Sequence, residues 1–253
     1  MPAPLSAVPE ASGVAVSRRS PQRLWVHNDS GQPVLFALDA NGAVEHPVRV
    51  RGAEIRDWED IASSLCSDGP CLYIADIGDN DARRSDITIY RVSEPGDRDA
   101  ATAPVHPIHA RYPDGPHDAE AFFVTRAGDM FLVTKERPPV LYRLAASPAA
   151  ETAAGTLERV KVLQEFGGKV TGAGISRDDR WVALRTHSAL FMFRRDELTS
   201  PRASEPLRVD VSALGEPQGE GVAFGDDGFV YLAGEGGGHH RPGTLARLRC
   251  TLN

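Results

Sequence analysis

The chain has 253 residues, of which 25% are charged, and a formal net charge of -7. This balance argues against a general nucleic-acid or membrane-surface binder, because both partners are polyanions. It leaves room for a small anionic substrate held through a metal ion. No stretch approaches the roughly 18 consecutive apolar residues that a transmembrane helix needs, so none is predicted.

The start of the chain, MPAPLSAVPEAS, has neither a basic region nor an apolar core, so no signal peptide is visible. A secreted or periplasmic location is favoured if a signal peptide has been removed, and a cytoplasmic one otherwise. Cys66 and Cys71 flank the turn SDGP. They could form a small disulfide in an oxidising compartment, and the alternative is that Cys66, Cys71 and Cys250 are all reduced thiols.

One pattern recurs five times: a residue that begins a short apolar strand, a turn, a second apolar strand and a polar cluster. The copies begin at Ser12, Glu59, Glu120, Thr171 and Glu220. Their starts are 47, 61, 51 and 49 residues apart. Repeats of about 40 to 50 residues with several strands each are typical of propeller blades. The sequence therefore predicts an all-β, five-bladed β-propeller with four-stranded blades, with residues 1–253 as a single domain.

Each copy continues into a third strand and, except in the last copy, a fourth. In chain order these are PVLFALD and AVEHPVRV, ITIYRVSEP and PVHPIHARYP, VLYRLA and TLERVKVLQEF, and ALFMFRR and PLRVDVSAL. The fifth copy has only TLARLRC before the chain runs out. The segment APLSAV ahead of Ser12 is the available substitute. We predict that it supplies the missing strand, which closes the ring and removes an open sheet edge.

Apolar residues alternate along the first strands, as expected of blades that pack face to face. Their predicted role is packing between blades, and they are Val14, Val16, Ile61, Phe122, Val124, Ile175, Val222 and Phe224. The turns DANG, AGD, RDD and GDDG lie between strands, where hairpins need residues that tolerate tight turns.

The first strand of each propeller blade lines the central channel, so the five starting residues form a ring around the axis. Glu59, Glu120 and Glu220 would repel one another unless positive charge lay among them. Calcium meets that need, because it takes carboxylates together with carbonyls, hydroxyls and water. The predicted ligands are these three glutamates with Ser12 and Thr171. No Cys or His recurs there, which disfavours zinc and copper. The alternative is a solvated or partly protonated ring without metal.

The order Ser, Glu, Glu, Thr, Glu resembles that of the calcium-activated nucleotidases (apyrases), five-bladed propellers with calcium on the axis. HNDSG is similar to that family's Asp-Asp-x-Thr-Gly, and WEDIA followed by LYIADIGDN is similar to its Trp-Glu and Leu-Tyr-x-Gly stretches. HDAEAFFV, VALRTH and GEGVAF fall at matching blade positions. GDN replaces the family's glycine-lysine-glutamate element, so the resemblance implies fold and calcium site more directly than substrate. The chain also resembles bacterial propeller proteins that carry HNDSG, DWEDIA and GDN.

The ends of the second strands predict a second polar layer beside the ring. Asp29, Asp76, Lys135 and Arg185 are the predicted catalytic residues: the carboxylates would orient water, and the two cations would neutralise developing charge. The predicted substrate-binding residues in this layer are Asn28, Asp79, Asn80, Glu136, His187 and Glu235. The alternative is that these loop ends are merely solvated.

Three further histidines adjoin this region. His117, in HDAE, could act as a base beside the channel, although bracing of the strand that begins at Glu120 is the simpler interpretation. His239 and His240, in GEGGGHHRPG, could cap the channel mouth or bind a phosphate, although an exposed loop is simpler.

The leading hypothesis is a monomeric, calcium-dependent hydrolase of a small anionic substrate with a phosphoanhydride or phosphoester bond, a nucleotide first. Neither nucleic acid nor membrane is an expected partner. One alternative is a non-catalytic, calcium-stabilised module that binds a glycan, peptide or envelope partner. Another is a calcium-dependent lactonase or other small-ester hydrolase with Asp29, Asp76 or His117 as base. No G-x-S-x-G motif occurs, which disfavours a serine hydrolase.

Overall fold

The computed structural model is an all-β propeller of five blades, as the repeat pattern predicts. It describes residues 2–146, 154–164, 166, 168–202, 205–238 and 241–252. Within each blade, neighbouring strands of the four-stranded sheet run antiparallel, and the first strand lies next to the channel.

The first two blades follow a short opening strand, β1 (Ala3–Leu5). The first blade consists of β2 (Ala11–Val16), β3 (Arg23–Asn28), β4 (Val34–Asp39) and β5 (Val44–Arg49). The second consists of β6 (Trp58–Cys66), β7 (Gly69–Asp76), β8 (Ile87–Ser93) and β9 (His106–Arg111). Cys66 and Cys71 form a disulfide across the β6–β7 hairpin, with their Cα atoms 5.9 Å apart, and Cys250 is free.

The remaining blades repeat this order. The third has β10 (Ala119–Val124), β11 (Met130–Thr134) and β12 (Val140–Leu144), followed by β13 (Gly155–Thr156) and β14 (Glu158–Val162). The fourth has β15 (Gly172–Ile175), β16 (Trp181–Thr186), β17 (Ala189–Arg194), the one-turn helix α1 (Arg195–Leu198) and β18 (Leu207–Asp210). The fifth follows a 3-10 turn (Ser212–Leu214) and has β19 (Gln218–Phe224), β20 (Phe229–Glu235) and β21 (Gly243–Arg249). In the described residues, no helix has the length and apolarity to cross a membrane.

The fifth blade is completed by the start of the chain. Strand β1 pairs antiparallel with β21, with Ala3 opposite Leu245 and Leu5 opposite Gly243. The prediction that the segment before Ser12 closes the ring is therefore confirmed. Leu5 is buried in the cluster between the fifth and first blades, so the closing strand is held by packing as well as by hydrogen bonds.

The outer edge of the third blade differs from the prediction. We predicted one strand from Thr156 onwards, but the structure divides this segment into two. Strand β13 pairs in parallel with β9 of the second blade, with Thr156 opposite Arg111, and only β14 joins the third blade. Leu157, between them, is buried in the cluster that those two blades share. Burial of this leucine accounts for the chain bridging both sheets.

The core consists of five apolar clusters, each between two neighbouring blades. Trp25 and Leu72, for example, meet between the first and second blades. The predicted packing role of the first strands is confirmed: six of the eight residues are buried in these clusters, and Ile175 and Phe224 pack against them. Fully burying a large apolar side chain stabilises a fold by roughly 1.5–3 kcal/mol, so these interfaces hold the ring together.

The innermost strands approach one another so closely that several positions must be glycine. A Cβ atom added to Gly172 would lie 2.4 Å from the carbonyl oxygen of Glu220, and one added to Gly221 would lie 2.7 Å from the amide nitrogen of Val14. Such distances leave no room for a side chain. Since Thr171 and Glu220 directly precede these glycines, the close packing fixes both at the same end of the channel.

Candidate functional site

The end of the channel at which the innermost strands begin is rich in carboxylates. We call it the acidic mouth, and it comprises Glu10, Asp29, Asp57, Glu59, Asp118, Glu120, Glu220 and Glu235, which interact electrostatically with one another or with Lys135. The structure brings the five predicted metal ligands to this end, and each is at most 8% exposed. They come from five different blades.

The two hydroxyl groups of the predicted metal site hold neighbouring blades together. Ser12 Oγ donates to the carbonyl oxygen of Glu59 at 2.7 Å. Thr171 Oγ1 donates to the carbonyl oxygen of Gly219, also at 2.7 Å. In both cases the acceptor belongs to the first strand of the next blade, so these hydroxyls contribute to ring closure whether or not a cation binds.

Lys135 supplies a positive charge among the carboxylates. Its ammonium group forms an ion pair with Glu120 and lies 3.9 Å from Asp118 Oδ2. It also lies 3.5 Å from Asn80 Oδ1. The lysine side chain is 20% exposed, so it is inside the mouth rather than on the outer surface. Its charge offsets part of the repulsion among Glu59, Glu120 and Glu220.

Two ring carboxylates have strongly shifted protonation equilibria. Burial raises the pKa of Glu59 well above its usual value, and Asp57 raises it further. Burial raises the pKa of Glu220 to about 8, and the charge of Glu235 adds to this effect. Lys135 lowers both pKa values, but not enough to restore them. At neutral pH the mouth therefore has a high affinity for protons or for another cation.

The donor set of the acidic mouth fits a hard cation. The side chains available there are carboxylates and hydroxyls, which calcium prefers. Eight carboxylates lie there, and the cations that act on them are Lys135, Arg185 on Glu220 and Arg84 on Asp57. The remaining excess of negative charge is what a bound cation would relieve. In the part of the chain that the structure describes, no three His, Cys, Asp or Glu side chains are already arranged to hold a metal ion. Binding would require the ring carboxylates to move closer together.

Asp29 is the predicted catalytic residue whose environment changes its chemistry most. Burial raises its pKa to about 7, and the charges of Glu10 and Glu235 contribute. Its Oδ1 atom is buried and has no hydrogen-bond partner among the described residues. Its backbone is fixed, because the carbonyl oxygen accepts from the amide of Trp58 at 3.0 Å. A carboxylate that ionises near pH 7 can accept a proton from water.

Asp76 and Asp79 both bind Arg84. The guanidinium of Arg84 lies 2.7 Å from Asp76 Oδ1, and its backbone amide donates to Asp79 Oδ2 at 2.7 Å. Asp76 is 1% exposed and also accepts from the amide of Arg56 at 3.1 Å. These contacts order the β7–β8 loop. They give Asp76 a positioning role in the structure, whereas we predicted that it orients water.

Arg185 lies inside the protein rather than at the open mouth. Its side chain is 0% exposed and forms an ion pair with Glu216. Its Nη1 atom donates to the carbonyl oxygens of Gly221 at 2.7 Å and Ala233 at 2.6 Å. Arg185 therefore ties the fourth blade to the fifth, and Glu216 neutralises its charge. The expected contact with substrate is not supported by this position.

Some of the other predicted substrate-binding residues take part in local contacts. Asn28 Oδ1 accepts from the amide of Glu10 at 3.0 Å. Glu136 Oε1 lies 2.6 Å from Nδ1 of His117, whose other ring nitrogen faces Asp114 at 3.1 Å. His117 thus sits between two carboxylates.

Asn80, His187 and Glu235 remain at the mouth. The side chain of His187 is half exposed, with Nδ1 3.8 Å from Glu220 Oε1, and burial lowers its pKa. Glu235 Oε2 accepts from Gln218 at 2.9 Å, and burial raises its pKa. Asn80 is exposed and faces Lys135. His239 and His240 lie outside the described residues.

Asp60 is an important axial residue that was not among the predicted site residues. It is completely buried, and its carboxylate accepts from the amides of Ile61 at 2.9 Å, Phe122 at 2.9 Å and Ala173 at 3.0 Å. These amides belong to the innermost strands of three successive blades. The sequence does contain a signal: the same blade position is otherwise taken by Gly13, Ala121, Gly172 and Gly221, which are all small.

Comparisons with known proteins support the fold. Neither a protein-family model nor a curated protein matches the sequence significantly. A glucose dehydrogenase structure is 13% identical with a TM-score of 0.56, covering 99% of this chain and 100% of that one. A luciferin-regenerating enzyme is 12% identical with a TM-score of 0.54, covering 100% and 96%. A gluconolactonase from Xanthomonas campestris is 14% identical with a TM-score of 0.53, covering 96% and 74%. This likeness concerns the propeller fold, with no specific match to an apyrase among these structures.

Proposed function

We propose that the protein is a cation-dependent hydrolase of small esters, with lactones as the first substrate class to test. The acidic mouth is the proposed active site, and calcium is the proposed cation. The observation that carries the proposal is Asp29, a partly buried carboxylate with a fixed backbone, whose pKa is raised to about 7 and whose Oδ1 atom has no hydrogen-bond partner within the described residues. General bases work best when their pKa lies near the working pH.

Charge favours a neutral ester over a nucleotide. Arg185, which we expected to neutralise a phosphate, is buried and paired with Glu216. Arg84 is likewise committed to Asp76. The mouth therefore repels a polyanion until a cation binds, whereas a neutral lactone meets no such repulsion. The similarity in fold to a gluconolactonase is consistent with this substrate class.

Hydrolysis of a phosphoanhydride is the second candidate, and one observation favours it. An open depression of about 590 Å³ adjoins the mouth, and its lining combines three arginines with four aspartates: Arg56, Arg83, Arg84, Asp57, Asp79, Asp81 and Asp86. Arg83 is 80% exposed and pairs with Asp81 at 3.4 Å, and an exposed pair of this kind is weak enough for a phosphate to replace the carboxylate. A phosphate chain that reached from Lys135 into this depression would gain favourable contacts.

Each residue in the proposed site has a defined task. Asp29 accepts a proton from the attacking water, while Lys135 and half-exposed His187 contact the substrate's oxygen atoms. Glu59, Glu120 and Glu220 would hold the cation through their carboxylates. A bound divalent cation would supply polarisation of the substrate's carbonyl or phosphoryl oxygen.

The test is hydrolysis of a panel that contains gluconolactone, a simple carboxylic ester, ADP and ATP, with added calcium or with chelator. We expect calcium-dependent lactone or ester hydrolysis. Asp29→Asn should lower kcat by about 10²-fold or more, the usual contribution of a general base. Its melting temperature should stay close to that of the parent protein. Asp196→Asn is the matched control, because Asp196 is 84% exposed on helix α1 and lies outside the acidic mouth.

Three outcomes would redirect the proposal. Phosphate release from nucleotides alone would replace the ester by the phosphoanhydride. Full activity of Asp29→Asn would show that Asp29 is not the general base. Stabilisation by calcium without turnover of any substrate would support the non-catalytic binding module instead.

A further inference from the structure

The opposite end of the channel carries a second ring of charged residues. It is formed by the residue six positions after each member of the first ring, and its members are Arg18, Leu65, Arg126, Arg177 and Asp226. Each follows the end of an innermost strand or lies close to it. Because a strand rises about 3.3 Å per residue, this arginine ring lies roughly 20 Å from the acidic mouth. Fully buried Asp60 lies between the two ends.

The three arginines converge from the first, third and fourth blades. Burial lowers the pKa of Arg18, and the charge of Arg177 lowers it further. Asp179 and Glu94 act in the opposite direction, and Arg126 makes a smaller lowering contribution. The guanidinium of Arg18 donates to the backbone carbonyl of Ser63, at 3.2 Å from Nη2. Arg177 forms an ion pair with Asp226. Within the described residues, Arg177 is the member of the three that has a carboxylate partner at ion-pair distance.

The turns that carry these arginines are held in place. Glu94 accepts from the backbone amide of Arg18 at 3.0 Å and from Trp25 Nε1 at 3.0 Å, and it also binds the hydroxyl of Ser17. On the other side, the backbone amide of Arg126 donates to Asp179 Oδ2 at 2.7 Å. The guanidinium groups therefore project from ordered turns, which lowers the entropic cost of binding a ligand.

A cavity opens between these residues. It has a volume of about 40 Å³, and its lining includes Arg18, Arg177 and Asp226 but not Arg126. Most of its other lining residues are apolar, so an anion would be held at the end where the two arginines lie. A water molecule needs roughly 10–15 Å³ on this measure, so the space suits about three waters or a single oxyanion group. An inorganic phosphate, or a carboxylate at the end of a small molecule, has this size and the matching charge.

We propose that the arginine ring is an anion-binding site for one phosphate or carboxylate group, separate from the acidic mouth. Arg18 and Arg177 contact the anion, and Arg126 adds to the positive field. Asp226 competes with the ligand for Arg177. Leu65, which is 53% exposed, is the second blade's member of the ring, so that blade contributes no charge to it.

The experiment is a calorimetric titration of the full chain with inorganic phosphate, and separately with succinate, at an ionic strength held constant with chloride. We expect saturable binding. Arg18→Gln and Arg177→Gln should each weaken it about tenfold, since charge-assisted hydrogen bonds are lost. Asp226→Asn should tighten it by removing the competing carboxylate. Leu65→Arg should also tighten it, because it completes the ring at an exposed position.

Arg208→Gln is the matched control, because Arg208 is an exposed arginine on the outer strand β18, which belongs to neither ring. It should leave binding unchanged. The proposal is overturned if phosphate and succinate both fail to bind saturably, or if Arg208→Gln weakens binding as much as Arg18→Gln does. The exposed variants Asp226→Asn and Leu65→Arg keep the test decisive if an arginine variant does not fold. If neither tightens binding, the anion is not held by this ring.

Discussion

At the scale of single residues, Asp60 shows how one carboxylate can join three blades. It accepts three backbone amides at the axis, where water is excluded. Asp60→Ala would leave three buried donors unpaired, at about 1–3 kcal/mol each. We expect the free energy of unfolding to fall by about 3 kcal/mol or more, measured by urea denaturation. Asp60→Asn keeps one acceptor oxygen and should cost less, and exposed Asp81→Ala should cost almost nothing.

A second prediction at this scale concerns Lys135. Its ammonium pairs with Glu120 and lowers the pKa of Glu59 and Glu220. Lys135→Gln should lower the free energy of unfolding by about 1–3 kcal/mol at pH 8. The loss should be smaller at pH 5, because Glu220, whose pKa is about 8, carries a proton there and no longer attracts Lys135. Denaturation at both pH values checks this, with exposed Lys169→Gln as control. Equal losses at both pH values would contradict the assigned role.

Side-chain direction explains which site residues could be predicted. The ring residues follow from the repeat, because one blade position always faces the same part of the channel. The same reasoning placed Arg185 at the mouth, because it lies near the end of a second strand. Its side chain instead turns inward to Glu216, a partner 31 positions away. Nothing near Arg185 in the sequence marks that pairing. The raised pKa of Asp29 likewise depends on Glu10 and Glu235, which the local sequence does not connect with it. The partner of Asp76 is nearer, because Arg84 lies eight positions away.

At the scale of elements, the short strand β1 has a clear energetic role. It covers the outer edge of β21 and buries Leu5 between blades. Removal of residues 1–7 should lower the melting temperature and expose a sheet edge that pairs with a second copy. Sedimentation should then show concentration-dependent association. An added peptide of sequence PAPLSA should reverse both effects, and a scrambled peptide should not. An unchanged melting temperature would contradict the role of β1.

Strand order and blade packing could be predicted at this scale because alternation and turn residues are local signals. The path of the chain at Thr156 could not. The two-residue strand β13 pairs with β9 of the second blade. This pairing depends on the burial of Leu157 in the apolar cluster between the second and third blades. Periodicity carries no information about which of two adjacent sheets a short strand will join.

At the scale of the whole molecule, the acidic mouth makes stability depend on pH. The native pKa of Glu220 is about 8, whereas its ordinary value is 4.5. The native state therefore binds this proton more tightly than the unfolded state does, and stability falls as pH rises from about 5 to 8. We expect a decrease of about 2 kcal/mol or more without added cation. Urea denaturation across this range measures it, and Glu220→Gln should flatten the profile.

Calcium should reverse this trend. Its ligands must be deprotonated, so its affinity should rise with pH, and a ligand of the native state stabilises it. We expect a larger gain in melting temperature at pH 8 than at pH 6, and magnesium at the same concentration serves as the control for ionic strength. No gain at either pH would contradict a calcium site in the acidic mouth.

Strand β1 runs antiparallel to β21 with Ala3 opposite Leu245, so the N-terminal end of β1 points towards the end of β21 at Arg249. A force that pulled the two termini apart would therefore load the hydrogen bonds of this seam one after another, as in a zipper, and not all together. The three residues of β1 would detach at low force while the other four blades stayed intact. The propeller would open mechanically at the place where its two chain ends meet.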